Sequence, residues 1–274
     1  MTDVAVALCR EGFEAEAVAD LAAIADHARL SIEPTVRPGS AYVVARFASF
    51  DDAAWRRAAR AHPATFARSL WTGSGPHAIV ADAPHPSTGG ARPDRILPLA
   101  SAFAGLAASS GHGPPWLAPW IEYADTNEGK ALSTLARALE PRLATALRQR
   151  GLVDDDARRR AHVMLAGGAT AYVGTADPAY ASPWPLGIPR LRMPRGAPSR
   201  SAQKLAEAIA AFLGDREAAL LHEGQSAVDL GAAPGGWTWQ LVTRGLHVAA
   251  VDRGALAPTL ARHPNVEHLR ADGL

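Results

Sequence analysis

Runs and periodicities of apolar residues divide the chain into short elements. Val4 to Leu8 is unbroken apolar sequence, the pattern of a short buried strand, and Glu14 to Ala25 follows with Val18, Leu21 and Ile24 at helical spacing. Ala41 to Phe47 predicts a second strand. Asp51 predicts the cap of a helix reaching about Arg60, where Asp51 and Asp52 sit favourably at the positive end, and Thr65 to Trp71 reads as extended. This strand, helix, strand, helix, strand order over residues 1–75 suits a small α+β sandwich of ferredoxin-like type.

A stretch rich in Gly, Pro and Ser, Ala83 to Pro93, separates a second unit, expected to span 76–177. A helix from Pro98 to Ala108 leads through Gly111 to Pro115 into a strand, Leu117 to Tyr123. The next helix starts after Asp125-Thr126-Asn127, with Glu128 in its first turn, and runs to Arg150 with a kink expected at Pro141. Ala161 to Ala166 and Ala169 to Val173 flank Gly167-Gly168, a hairpin signal, so this unit is α+β as well. Residues 178–198 read as an extended, Pro-rich linker. From 199 the pattern changes. Ser201 to Leu213 is an amphipathic helix with Leu205, Ile209 and Phe212 on one face, and Ser226 to Leu230 is a buried strand running into Gly231-Ala232-Ala233-Pro234-Gly235-Gly236. A helix (Trp237 to Thr243), a strand (His247 to Val251), a helix through Leu260 and a strand (Val266 to Leu269) follow, the opening of a doubly wound, Rossmann-like α/β sheet.

The 274 residues, 48% of them hydrophobic, predict two domains or three small ones with buried cores, and exclude a disordered tail protein. No apolar run approaches the ~20 residues of a membrane span, and Val4 to Leu8 is too short and lacks the basic flank of a signal peptide, so the expected location is cytoplasmic, with no membrane partner. Cys9 is the only cysteine, which excludes an intrachain disulfide and a thiolate zinc cluster. His162, His222 and His247 lack metal-ligand spacing, no metal site is expected, and no Ser/His/Asp or paired-carboxylate pattern argues for a hydrolase. The net charge of +1 means that any affinity for nucleic acid comes from local clustering. Such a cluster exists: Pro178 to Ala206 holds six prolines, five basic residues (Arg190, Arg192, Arg195, Arg200, Lys204) and no acid. It reads either as a solvated connector or as a phosphate-contacting strip, with Trp184 able to stack on a base or to pack on its neighbouring prolines. Lys130 and Lys204 are the only lysines beside 26 arginines, which draws attention to amines kept where arginine would serve for charge alone.

In a doubly wound sheet, ligands bind beyond the carboxyl ends of the strands, at a glycine-rich turn. Gly231, Pro234, Gly235 and Gly236 occupy that place, and Asp252 at the end of the second strand is positioned for the hydroxyls of a ribose. Gly231, Ala233 and Gly236 also fit the loose dinucleotide pattern of a nicotinamide-dependent oxidoreductase. Pro234 favours S-adenosylmethionine instead. A pyrophosphate is held by backbone N–H groups and proline removes one, whereas adenosylmethionine carries no phosphate. A tight turn with no ligand is the third reading.

The run Asp229-Leu230-Gly231-Ala232-Ala233-Pro234-Gly235-Gly236-Trp237-Thr238, preceded by Ser199-Arg200-Ser201-Ala202-Gln203-Lys204-Leu205, resembles the RrmJ/FtsJ-like 2'-O-ribose RNA methyltransferases. Cys9-Arg10-Glu11-Gly12-Phe13-Glu14, Ala124-Asp125-Thr126-Asn127-Glu128 and Gly187-Ile188-Pro189-Arg190-Leu191 are similar, more narrowly, to the ribosomal RNA large subunit methyltransferase M family, so the resemblance runs from Cys9 to Asp272. It implies a ferredoxin-like and THUMP-type RNA-binding region joined to a Rossmann-like catalytic domain, a monomer, acting on a cytidine ribose of 23S ribosomal RNA. Ser201, Ala233, Pro234, Gly235, Gly236, Asp252 and Asp272 would contact adenosylmethionine. Lys204 would match the first lysine of a Lys-Asp-Lys-Glu catalytic set. Independently of the resemblance, the basic strip makes Arg190, Arg192, Arg195 and Arg200 the expected contacts to RNA. Asp125, Thr126 and Asn127 are adequately explained as a helix cap. Since 43 residues follow Gly231, enough for two further strands, and the other members of the catalytic set would lie beyond Leu274, the expectation is a truncated methyltransferase with an exposed first-strand edge, inactive alone. The alternative is an RNA-binding module without catalysis.

Overall fold

The computed structural model describes residues 2–80, 94–109 and 113–273. The expected separator Ala83 to Pro93, and Gly111 and His112, lie outside the described residues. The chain divides into two compact units, Met1–Ile188 and Pro189–Leu274.

The first unit opens with β1 (Val4–Leu8), α1 (Glu14–Ala28), β2 (Ile32–Val36), β3 (Tyr42–Phe47), α2 (Asp52–Ala61) and β4 (Ser69–Ala78). It continues through α3 (Ile96–Ser109), β5 (Leu117–Tyr123), α4 (Asn127–Lys130), α5 (Ser133–Arg148), β6 (Arg160–Leu165) and β7 (Thr170–Ala176). All seven strands join one sheet, in the order β2-β3-β1-β4-β7-β6-β5, antiparallel except for the β5–β6 pair. β4 lies across residue 75, where the sequence suggests a boundary, and hydrogen-bonds to both β1 and β7. Its reach past Trp71 is hidden in the sequence by Gly73, Gly75 and Pro76, which read as breakers. Gly73 faces Gly174 across the β4–β7 pair, where a Cβ would strike the Val173 carbonyl, and a bulge between Ser74 and His77 takes up Gly75-Pro76.

β2 is absent from the sequence expectation. Glu33 and Pro34 break its apolar pattern, and both are tolerated because β2 is the edge strand and mostly exposed. One cluster packs Ala5, Ala7, Val43, Ala45 and Phe47 under Leu21, Ile24 and Trp55 from α1 and α2. A second packs Val163, Leu165 and Val173 under Phe103, Leu139, Leu143 and Leu147 from α3 and α5. The long helix expected after Asn127 is broken between Lys130 and Ser133 rather than at Pro141, which lies inside α5. The Asp51 cap is present, its side chain accepting the Ala54 N–H.

On the sheet, Glu122 is fully buried and accepts hydrogen bonds from Trp71 Nε1 at 3.1 Å, Ser69 Oγ at 3.3 Å and the Leu186 N–H at 2.7 Å, with His162 Nδ1 at 2.8 Å. A buried carboxylate needs such partners. His162 is thereby part of the core.

The second unit contains α6 (Ser201–Phe212), α7 (Glu217–Leu220), β8 (Ser226–Leu230), α8 (Gly236–Val242), β9 (His247–Val251), α9 (Pro258–Ala261) and β10 (Val266–Leu269). Its sheet is wholly parallel, in the order β10-β9-β8. Val242, Leu246, Val248, Ala250, Leu256 and Leu260 form its core. The apolar face of α6 differs from expectation: Ala202 and Ile209 are buried and Leu205 half-buried, but Phe212 at the helix end is exposed.

Candidate functional site

The site expected from the glycine run lies where β8, β9 and β10 end. Gly231 turns the chain at φ +73°, and its missing Cβ would meet no atom within 4 Å, so the turn is open on that side. Gly235, at φ +106°, caps α8, and any Cβ there would strike the Leu260 side chain. A Cβ at Gly236 would collide with the hydroxyls of Ser201 and Ser199, so the start of α8 rests on the start of α6. Ser199 and Ser201 are themselves hydrogen-bonded, 2.6 Å between oxygens. Asp229, buried at the end of β8, accepts from the Thr238 N–H at 2.9 Å and the Thr238 hydroxyl at 2.7 Å and anchors the first turn of α8.

Asp252 is tied to the loop rather than standing free. Its Oδ2 accepts from the Ala233 N–H at 2.9 Å and its Oδ1 from the Gly254 N–H at 2.6 Å, and the two amides hold the carboxyl below its ordinary range. Its carbonyl lies 3.1 Å from His268 Nε2. Each carboxylate oxygen keeps a lone pair for a hydroxyl. Asp272 pairs with Arg253 at 2.7 Å, both largely exposed. Gly231, Asp252 and Asp272 line one cleft of about 310 Å³, together with Leu230, Arg253, Ala271 and Gly273.

The amides of the turn are spoken for. Those of Gly231 and Ala232 donate to the Val251 carbonyl at 2.9 and 3.2 Å, that of Ala233 to Asp252, and that of Gly235 to the Ala232 carbonyl at 2.6 Å, while Pro234 has none. From Gly231 to Gly235 nothing is left to cradle a pyrophosphate, and two carboxylates face the cleft. This chemistry suits hydroxyls and a cation.

The structure thus gathers Gly231, Asp252 and Asp272 around the cleft. Ala233 serves Asp252 through its amide, Gly235 packs on Leu260, and Ser201 packs against Gly236. Lys204 lies one turn along α6 from Ser201, exposed and without a hydrogen-bond partner among the described residues. Arg190, Arg192, Arg195 and Arg200 are all exposed and none has an ion-pair partner among the described residues, which fits a solvated connector and a phosphate-contacting strip alike. Trp184 is half-buried. Sequence reasoning passed over Arg253, which faces Asp272, and Gly254, whose amide fixes Asp252. The Asp-x-Gly spacing of Asp252 and Gly254 was the available signal.

Residues 197–272 match the FtsJ-like methyltransferase family, so the class this parallel-sheet unit defines is that of a methyltransferase. Residues 94–177 match the N-terminal region described for ribosomal RNA large subunit methyltransferase M. The protein of that name from Alkalilimnicola ehrlichii is 44% identical over 270 residues, covering 97% of this chain and 69% of its own length. Its counterpart from Methylococcus capsulatus is 42% identical, covering 97% and 70%. The chain belongs to the ribosomal RNA large subunit methyltransferase M family. The crystal structure of TrmN from Thermus thermophilus aligns with 92% of this chain and 65% of its own at 16% identity and a TM-score of 0.42, too distant to inform the site.

Proposed function

We propose that the protein serves the S-adenosylmethionine-dependent 2'-O-ribose methylation of a cytidine in 23S ribosomal RNA. The observation that carries the cofactor is the glycine turn, which from Gly231 to Gly235 offers no amide to a phosphate and presents Asp252 and Asp272 to the cleft. In this reading Asp252 accepts from the ribose of the donor, Asp272 lies on the same wall, and Ala233, Pro234, Gly235, Gly236 and Ser201 shape the loop that holds it. Bound there, the donor supplies an electrophilic methyl on a sulfonium. The protein's part is to hold the ribose hydroxyl of the RNA in line with that methyl and to take its proton. Lys204 is the residue proposed to interact with that hydroxyl, and Arg190, Arg192, Arg195 and Arg200 are proposed to neutralise backbone phosphates.

Supporting the RNA-binding region, the first four strands run β2-β3-β1-β4 with two helices in β-α-β-β-α-β order, the arrangement of a ferredoxin-like unit. The THUMP-type reading of residues 76–177 rests on the family resemblance. A second reading, RNA binding without transfer, draws support from Lys204, which is exposed and has no hydrogen-bond partner among the described residues to orient it.

Two measurements test the proposal. Calorimetry should show binding of adenosylmethionine and adenosylhomocysteine and none of NAD; the reverse order of affinity would defeat the cofactor reading. Transfer of labelled methyl into unmodified 23S ribosomal RNA separates the readings: incorporation at a cytidine ribose supports catalysis, and RNA binding without incorporation supports the second reading.

A further inference from the structure

Two of the family-like runs, Cys9 to Glu14 and Ala124 to Glu128, belong to the first unit, and the parallel-sheet cleft gives neither a role. The fold brings them together. The segment after β1, the β2–β3 hairpin, the turn from β5 into α4 and the β6–β7 hairpin all border one cleft of about 570 Å³. That volume lies in the range of small-ligand pockets, roughly 300–1,000 Å³.

The polar residues of these runs divide into two groups. One group builds the cleft. Glu14 accepts the N–H of Ala41 at 2.8 Å and of Gly12 at 3.2 Å, Thr126 caps α4 through the Gly129 N–H at 3.0 Å, and Asp125 pairs with Arg68 and Lys130. Gly129 presses on the Ala124 carbonyl, where a Cβ would collide. The other group lines the cleft with nothing to bind: the side chains of Glu11, Arg37, Asn127 and Glu128 are exposed and make no hydrogen bond or ion pair among the described residues. Half-buried Tyr42 gives an aromatic wall beside them.

This set has a definite chemistry. Glu11 and Glu128 only accept hydrogen bonds, so they suit N–H donors and repel phosphate. The Asn127 amide both donates and accepts, and Arg37 is the single cation of the lining. We infer that this cleft receives an unpaired RNA base carrying an exocyclic amino group, with Glu11 and Glu128 accepting from the amine, Tyr42 against the base plane and Arg37 on the adjoining phosphate. The inference rests on the RNA reading above and adds to it a base-reading site in the first unit.

The test titrates the whole 274-residue protein into fluorescently labelled hexacytidylate and hexauridylate and follows anisotropy. Uracil lacks the amine, so the wild type should prefer hexacytidylate by about tenfold, the discrimination of one good carboxylate-to-amine contact. The double variant Glu11→Ala with Glu128→Ala should bring that ratio close to one. Arg37→Ala, and separately Arg190→Ala with Arg192→Ala and Arg195→Ala, should weaken both oligonucleotides, the triple variant leaving the ratio intact. Binding of both RNAs with no preference, or a preference that survives loss of both glutamates, overturns the cleft assignment while the RNA reading stands. Failure of the wild type to bind either RNA overturns the RNA reading and the cleft with it.

Discussion

Asp252 and Glu14 show how one carboxylate orders a loop. Both accept two backbone N–H groups, and in both the folded carboxyl lies below its ordinary value. For Asp252 the amides of Gly254 and Ala233 are the cause; for Glu14 burial pushes upward, and the amides of Ala41 and Gly12 outweigh it. A carboxyl lowered on folding contributes stability above its unfolded value, about 4, and loses it only as pH falls through the lower folded value. Adenosylhomocysteine affinity is therefore expected to be unchanged between pH 7 and 5; a calorimetric fall in that interval would assign the controlling titration to another group. Asp252→Ala, which frees the turn and removes the ribose acceptor, should weaken that affinity at least tenfold at pH 7. Glu14→Ala leaves two amides without their acceptor, and urea unfolding should register a loss of roughly 1–3 kcal/mol. The Asp252 position was legible in the sequence because it directly follows the strand His247 to Val251. Glu14 was not, because its stronger partner, Ala41, is 27 residues away and becomes a neighbour only through the β1–β3 pairing.

Among the elements, β1, an unbroken apolar run, and β5, β8, β9 and β10, whose runs are interrupted at Glu122, Asp229, His247 and Glu267-His268, lie where the sequence places them. Elements whose conformation depends on neighbours were not legible. β2 carries Pro34 at an edge, and β4 carries glycines that serve close approach rather than a turn. The same distinction separates two glycines of the candidate site. Gly231 needs only its backbone conformation, with open space where a Cβ would lie; Gly236 needs the space itself, because a Cβ there would also stand 2.9 Å from the Ala202 backbone nitrogen. Gly231→Ala should therefore cost about 1–2 kcal/mol through left-handed strain and leave the α6–α8 contact intact. Gly236→Ala must displace the start of α6. Thermal unfolding of the two variants should rank Gly236→Ala as the more destabilised, and Gly236→Ala should also disturb the Ser199 and Ser201 pair. The opposite ranking would show that α6 yields without cost.

The molecule as a whole joins two sheets of opposite character, and each differs from its sequence expectation for a physical reason. In the first unit β4 makes one sheet of what composition divides near residue 75, since a strand can supply both of its edges to neighbours far apart in sequence. In the second, β8 is an edge strand among the described residues. Its side chains alternate: Asp229 is buried towards α8, while Val228 and Leu230 on the opposite face are 65% and 62% exposed. An edge offers unpaired N–H and C=O groups, and two large apolar side chains beside it supply the attraction that turns pairing into association. Among the described residues no charge or proline within β8 guards that face, because its one charged residue, Asp229, is turned inward to hold Thr238. The 274-residue chain should therefore self-associate as its concentration rises, and Val228→Lys should suppress that association without altering adenosylhomocysteine binding, since Val228 points away from α8 and does not line the cleft that Leu230 borders. Light scattering across a concentration series decides the matter: association equal in Val228→Lys and the wild type would move the sticky surface away from β8, with exposed Phe212 at the end of α6 the next position to substitute.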